Sequence, residues 1–238
     1  MRAPGPSDAG TATRAEERGA ALALLPVAAT LDYYALPEWL QAQWAVQFAP
    51  QILAYLALAL WASRNDAVLL RLGLAPHKFG KGLAIGLIAG FLLGGLNSFV
   101  ILTLVPYLGF DLTFLKQTPH AHVPPFLMVP WFIAGIAIFV EINFRGFLLG
   151  RLVALESGLR YHQSLRRHAP LALITGALVF AFDPFMVNTF RHLHWIALWD
   201  GLIWGIILQR TKNLYATIAA HAVEVIVMYC AIRSALMS

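Results

Sequence analysis

The segment 82–105, GLAIGLIAGFLLGGLNSFVILTLV, contains no charged residue. A helix of about 20 mostly apolar residues crosses the hydrocarbon core of a bilayer, and this run is long enough. It constrains the fold more than any motif does, because backbone amides in hydrocarbon have to be satisfied inside a helix or a closed barrel. Further apolar runs lie at 19–36, 44–62, 126–155, 169–188, 194–209 and 213–236. Of the 238 residues, 59% are hydrophobic and 12% charged, about half the charged share of a soluble domain. The expected fold is all-α, a polytopic transmembrane bundle of about six to eight membrane helices.

Residues 1–18, MRAPGPSDAGTATRAEER, are polar and rich in Gly, Pro and Ala. They are expected to form a disordered tail ahead of a transmembrane domain at 19–238. The stretch 19–31 has the length of a secretory signal. Asp32, Tyr33, Tyr34 and Trp39 look instead like an interfacial helix end, so a short first membrane helix is preferred. Trp44 and Trp61 bracket the next run at the spacing of two aromatic belts.

The distribution of charge sets an expected orientation. Arg64, Arg71, Lys78 and Lys81 lie between the second and third runs, and Arg145, Arg151, Arg160, Arg166 and Arg167 lie between 145 and 168. Only Lys116 falls in 106–124. Lys and Arg stay on the cytoplasmic side, so 63–81 and 156–168 are expected inside and 106–124 outside. The net charge of +5 therefore reports orientation and not a nucleic-acid partner. The expected setting is the bilayer of a bacterial inner (cell) membrane. Cys230 is the sole cysteine, which leaves no intramolecular disulfide and no Cys-based metal site. Gly82, Gly86, Gly90 and Gly94 recur every fourth residue and predict a helix face that admits a close neighbour.

Ionisable residues inside membrane runs cost at least about 2.5–3.5 kcal/mol each, and they mark cavities and sites. Glu141 and Arg145, in FVEINFRGFLL, share a helix face at i and i+4. His221 and Glu224, in AAHAVEVIVMY, share another at i and i+3. His192 and His194 precede Asp200 in RHLHWIALWDG. They are two residues apart, so a regular helix turns them away from one another. Asp183 next to Pro184 fits a cap at a helix break.

The run EINFRGFLLGRL, then Phe190–His194 as Phe-x-x-x-His, then GLIWGIILQRTKNLYATIAAHA resemble the CPBP intramembrane proteases. These are CAAX-processing endopeptidases of the Rce1 type. The similarity covers roughly 126–238. It implies a bundle of about eight helices around a cavity open to the cytosol, where a Glu-Glu-x-x-x-Arg motif and a His activate water. A final His, with an Asn four residues later, would hold the oxyanion. On that pattern Glu141 matches the second Glu, Arg145 the Arg, His194 the middle His and His221 the final His. Val140 stands at the first Glu and Val225 at the Asn, and the usual spacing puts the middle His nearer Pro184.

Three readings follow. One is an endopeptidase acting on a membrane peptide or lipidated protein through Glu141, Arg145, His194 and His221, with His192, Glu224 and Asp183 as further candidates. Another is an inactive scaffold that binds such a peptide. The last is a metal protein in which Glu141, His194, His221 and Glu224 hold a divalent ion such as Zn or Fe.

Overall fold

The computed structural model describes residues 17–159 and 169–237; most of the expected tail and residues 160–168 lie outside the described residues. The described residues are helical and contain no strand. The principal helices are α1 (Ala20–Ala35), α2 (Ala49–Ala62), α3 (Phe79–Phe99), α4 (Pro125–Gly158), α5 (Pro170–Ala181), α6 (Pro184–Phe190), α7 (Ile196–Thr211) and α8 (Leu214–Met237). A wide π-helical turn, Val100–Leu104, carries α3 on to Tyr107.

Among the described residues, three stretches are long and apolar enough to cross a bilayer: Val68–Tyr107, Pro125–Gly158 and Leu214–Leu236. A fourth forms if α5 and the stretch Pro184–Leu193, bent by 50°, count as one span. The apolar helices α1 and α2 are shorter. Large side chains on the outer surface are apolar, with Leu92 70% and Ile88 65% exposed on α3. Water penalises such a surface and lipid does not. The protein is an integral membrane helical bundle.

The continuous run expected at 169–188 is broken. Asp183 Oδ1 accepts from the backbone N–H of Phe185 (3.1 Å) and Met186 (3.4 Å) and from Gln51 Nε2 (2.8 Å). A carboxylate at this position caps the first turn of α6, and Pro184 lacks the N–H that would continue α5. The helix expected from residue 194 starts at Ile196, because Arg191–Leu193 form a tight 3₁₀ turn.

The glycines of α3 lie against α8. An added Cβ on Gly86 would fall 2.5 Å from Ala219 Cβ, and one on Gly90 would fall 2.6 Å from the Ala220 carbonyl oxygen. No side chain fits there.

Backbone contacts gather the basic segments at one end of the bundle. Arg18 N–H donates to Asn65 Oδ1 (2.9 Å), Leu214 N–H to the Gly73 carbonyl (3.0 Å) and Lys78 Nζ to the Lys212 carbonyl (3.1 Å). Glu17 is ion-paired with Arg151 and accepts from Trp61 Nε1 at 3.0 Å, which ties the start of the chain to the same end. Residues 108–124 and 191–195 lie at the other end, where Phe110 and Phe114 pack on His192.

Candidate functional site

Glu141 lies at the join between an α-helical stretch, Ile136–Glu141, and a π-helical stretch, Ile142–Leu149, within α4. Wide turns of this kind often occur where a site needs a side chain redirected. Here Glu141 and Arg145 remain in contact, Oε1 to Nη1 at 3.3 Å. The same Oε1 is 3.0 Å from His221 Nδ1 on α8. Glu141 is 0% exposed and its Oε2 has no hydrogen-bond partner. The carboxylate is thus enclosed between a guanidinium and an imidazole.

Aromatic rings form the walls of this pair. Arg145 Cζ sits 3.9 Å from the Phe180 ring centroid and 4.8 Å from that of Trp204. Trp204 stacks on His221 with centroids 4.5 Å apart and planes 23° from parallel. A buried cation is favoured over such faces, and the stack limits how far the imidazole can turn.

A second polar cluster lies on the same face of α8. Asn97 of α3 donates its Nδ2 to Glu224 Oε1 at 2.6 Å and to Asp200 Oδ1 at 3.1 Å. Its Oδ1 accepts from Trp199 Nε1 at 3.0 Å. Asn97 and Glu224 are 0% exposed and Asp200 is 5% exposed.

Both clusters border a cavity of about 520 Å³, a size that accepts a drug-sized or lipid-like molecule. His221, Glu224, Asp200 and Trp204 line it, and its walls are mainly apolar: Phe144, Phe180, Phe190, Met228, Ile232 and others. Val140 and Val225 are also in the wall. It extends to Leu115, Thr118 and Ala121, toward the end away from the basic loops.

Of the residues singled out in the sequence, Glu141, Arg145 and His221 meet directly. Glu224 joins them at the cavity through its own cluster. Asp183 also lines the cavity but is engaged as a helix cap. His194 does not join them: its Nδ1 lies 2.5 Å from the Arg191 carbonyl oxygen and its ring packs edge-on against Phe182. His192 is stacked on Phe110 and meets Phe114 edge-on, with its Nε2 buried and unpartnered. The four-residue metal set is therefore not assembled. Among the described residues, no group of three or more His, Cys, Asp or Glu is arranged to hold a metal ion.

No motif in the sequence points to Asn97, and the sequence places Asp200 only beside His192 and His194. Asn97 is the lone amide in the uncharged run 82–105. A polar group in a membrane helix needs a partner on a neighbouring helix, which is the signal that points to it.

Comparison with curated proteins and with solved structures gives no match. Residues 122–227 match the family model described as type II CAAX prenyl endopeptidase Rce1-like. That region holds Glu141, Arg145, Asp200, His221 and Glu224, while Asn97 lies before it. Over residues 122–227, somewhat less than half of its length, the chain is similar to the Rce1-like type II CAAX prenyl endopeptidases.

Proposed function

We propose that this chain is an intramembrane endopeptidase of the CAAX type, with His221 as general base and Glu141 as the group that positions it. The observation that carries this reading is the 3.0 Å contact between Glu141 Oε1 and His221 Nδ1 at the wall of the 520 Å³ cavity. A carboxylate at Nδ1 accepts the N–H there, which leaves Nε2 with its lone pair. Nε2 takes a proton from water as the water oxygen attacks the peptide carbonyl carbon. The imidazolium then returns that proton to the amine nitrogen as the C–N bond breaks, leaving a carboxylic acid and an amine. Glu141 stabilises the transient imidazolium, Arg145 holds Glu141, and Trp204 fixes the ring plane. Glu141 is a poorer base than its place in the motif suggests, because it is closed off from the cavity and engaged with Arg145.

The test uses the full-length protein in proteoliposomes with a prenylated CAAX peptide and a set of unlipidated single-span peptides. His221→Ala is expected to lower kcat about a hundredfold or more. Glu141→Gln is expected to lower kcat with KM nearly unchanged and to shift the pH profile. A wild-type protein that cuts none of these peptides overturns the hydrolase reading.

A second reading, a peptide-binding protein without turnover, is favoured by one feature. Val140 and Val225 occupy the cavity wall where the family resemblance implies Glu and Asn. On that reading Val140→Glu gives cleavage that wild type lacks; on the first it leaves existing cleavage intact or raises it.

We also propose that the cavity opens away from the cytoplasm, in contrast to the cytosolic opening that the resemblance implies. The support is the gathering of Arg18, Arg64, Arg71, Lys78, Lys81, Arg210 and Lys212 at the opposite end, since such residues stay inside. In a Cys230→Ser background, Lys116→Cys is expected to react with an impermeant maleimide in intact cells. Ser63→Cys is expected to react only after the membrane is opened. The reverse pattern inverts the orientation.

A further inference from the structure

Arg233 is a cation in the cavity wall that the proposed proton transfer does not use. Among the described residues of that wall it is the one Lys or Arg. It is half-buried, so a molecule in the cavity can reach it. Its Nη1 donates to Tyr229 Oη at 3.4 Å, which holds the guanidinium near the face of α8. A guanidinium is a planar fork of five N–H donors, so it can take a carboxylate on two of them and keep that contact. An ionisable side chain in a membrane helix marks a site by default, and the natural partner of this one is an anion.

The distance from Arg233 to His221 supplies a second observation. Both line the cavity, and α8 is a regular α-helix from Leu214 to Met237. Twelve residues along that helix place Arg233 about 18 Å beyond His221 on the axis. Roughly 3 Å of hydrogen-bond reach at each end leaves about 12 Å. An extended chain advances about 3.3–3.6 Å per residue, so about three to four residues fill that gap. Val225, Met228 and Ile232 face the cavity between the two ends, a track that suits apolar side chains.

We propose that Arg233 binds the free C-terminal carboxylate of a peptide whose scissile carbonyl lies at His221. The last residues of the peptide run along α8 past Val225 and Met228 toward Ile232. Two N–H groups of Arg233 donate to the two carboxylate oxygens. A C-terminal amide, or a chain that continues beyond this point, loses the charge and the paired contact. Arg233 is thus a specificity-determining residue that selects a peptide end over an internal segment. The assignment rests on the proposed cleavage for the place of the scissile bond, while its readout is binding.

The experiment measures binding of a fluorescent prenylated CAAX peptide, as free acid and as C-terminal amide, to the full-length protein in nanodiscs, corrected for empty nanodiscs. His221→Ala is the background, so that no turnover consumes the peptide. The acid is expected to bind about tenfold or more tighter than the amide, the scale of a lost hydrogen bond to a charged group. Arg233→Gln is expected to bring the acid to the affinity of the amide and to leave the amide unchanged. Arg233→Lys is expected to keep part of the preference, because an ammonium retains the charge but not the fork. Equal binding of acid and amide before Arg233 is changed overturns the proposal, as does a preference that survives Arg233→Gln. Loss of both peptides in Arg233→Gln, or no binding of either before it, overturns it too. An acid preference in a protein whose wild type cuts neither peptide keeps this site and removes the hydrolase reading; cleavage of both by wild type with equal KM does the reverse.

Discussion

Arg145→Met is expected to destabilise the protein by about 3–5 kcal/mol, the cost of leaving a buried charge without its partner. Glu141 is 0% exposed and Arg145 2%, so water cannot replace the lost guanidinium. Glu141→Leu is expected to cost a similar amount, because Arg145 then keeps only the faces of Phe180 and Trp204. The double variant is expected to recover most of the loss, since replacing a whole buried pair with apolar groups is often near neutral. It will not restore the partner of His221 Nδ1, so stability returns while the proposed cleavage does not. Denaturant titration in bicelles, run as a double-mutant cycle, reads the coupling. Simple addition of the two single losses would show that the pair is not an energetic unit.

The glycine seam is the second large effect. Gly86→Leu and Gly90→Leu are each expected to cost about 1–3 kcal/mol or more, the range for overpacking a tight contact. Together they are expected to remove most of the marginal stability of the bundle. The clashes fall on Ala219 Cβ and on the carbonyl oxygens of Ala216 and Ala220, at 2.5–2.6 Å, so rotamer changes cannot relieve them. Gly95→Ala is the control, because a Cβ there meets nothing within 4 Å. It is expected to be neutral or slightly stabilising, as Ala is the better helix former. Thermal unfolding of the three variants in detergent tests the contrast, and equal losses would refute the seam. The consequence reaches the site, since Asn97 on α3 touches Asp200 and Glu224 only while α3 lies against α8.

Much of this was legible before any coordinates. An apolar run longer than a bilayer is thick has few alternatives to a helix, so the helical membrane class follows from residues 82–105 and their counterparts. The i, i+4 relation of Glu141 and Arg145 holds in any helix, and the pair is in contact. The four-residue glycine period announced a close helix neighbour without naming it, and α8 fills that place. Asp183–Pro184 signalled a break, yet the apolar run around it reads as continuous, so the 50° bend was hidden.

What the sequence by itself determined is local: which segments are helical, which side chains share a face, and which residues are too polar for lipid to tolerate alone. Tertiary structure alone decided which of those residues meet. His221 lies 80 residues from Glu141 and Asn97 lies 127 from Glu224, and helical periodicity carries no information over such distances. It turned His192 and His194 onto Phe110, Phe114 and Phe182, away from Glu141, where the chain reverses at Arg191 with a positive φ of 49° before α7 begins. A buried carboxylate must find a partner, and the packing of α3, α4, α7 and α8 determines which one it finds.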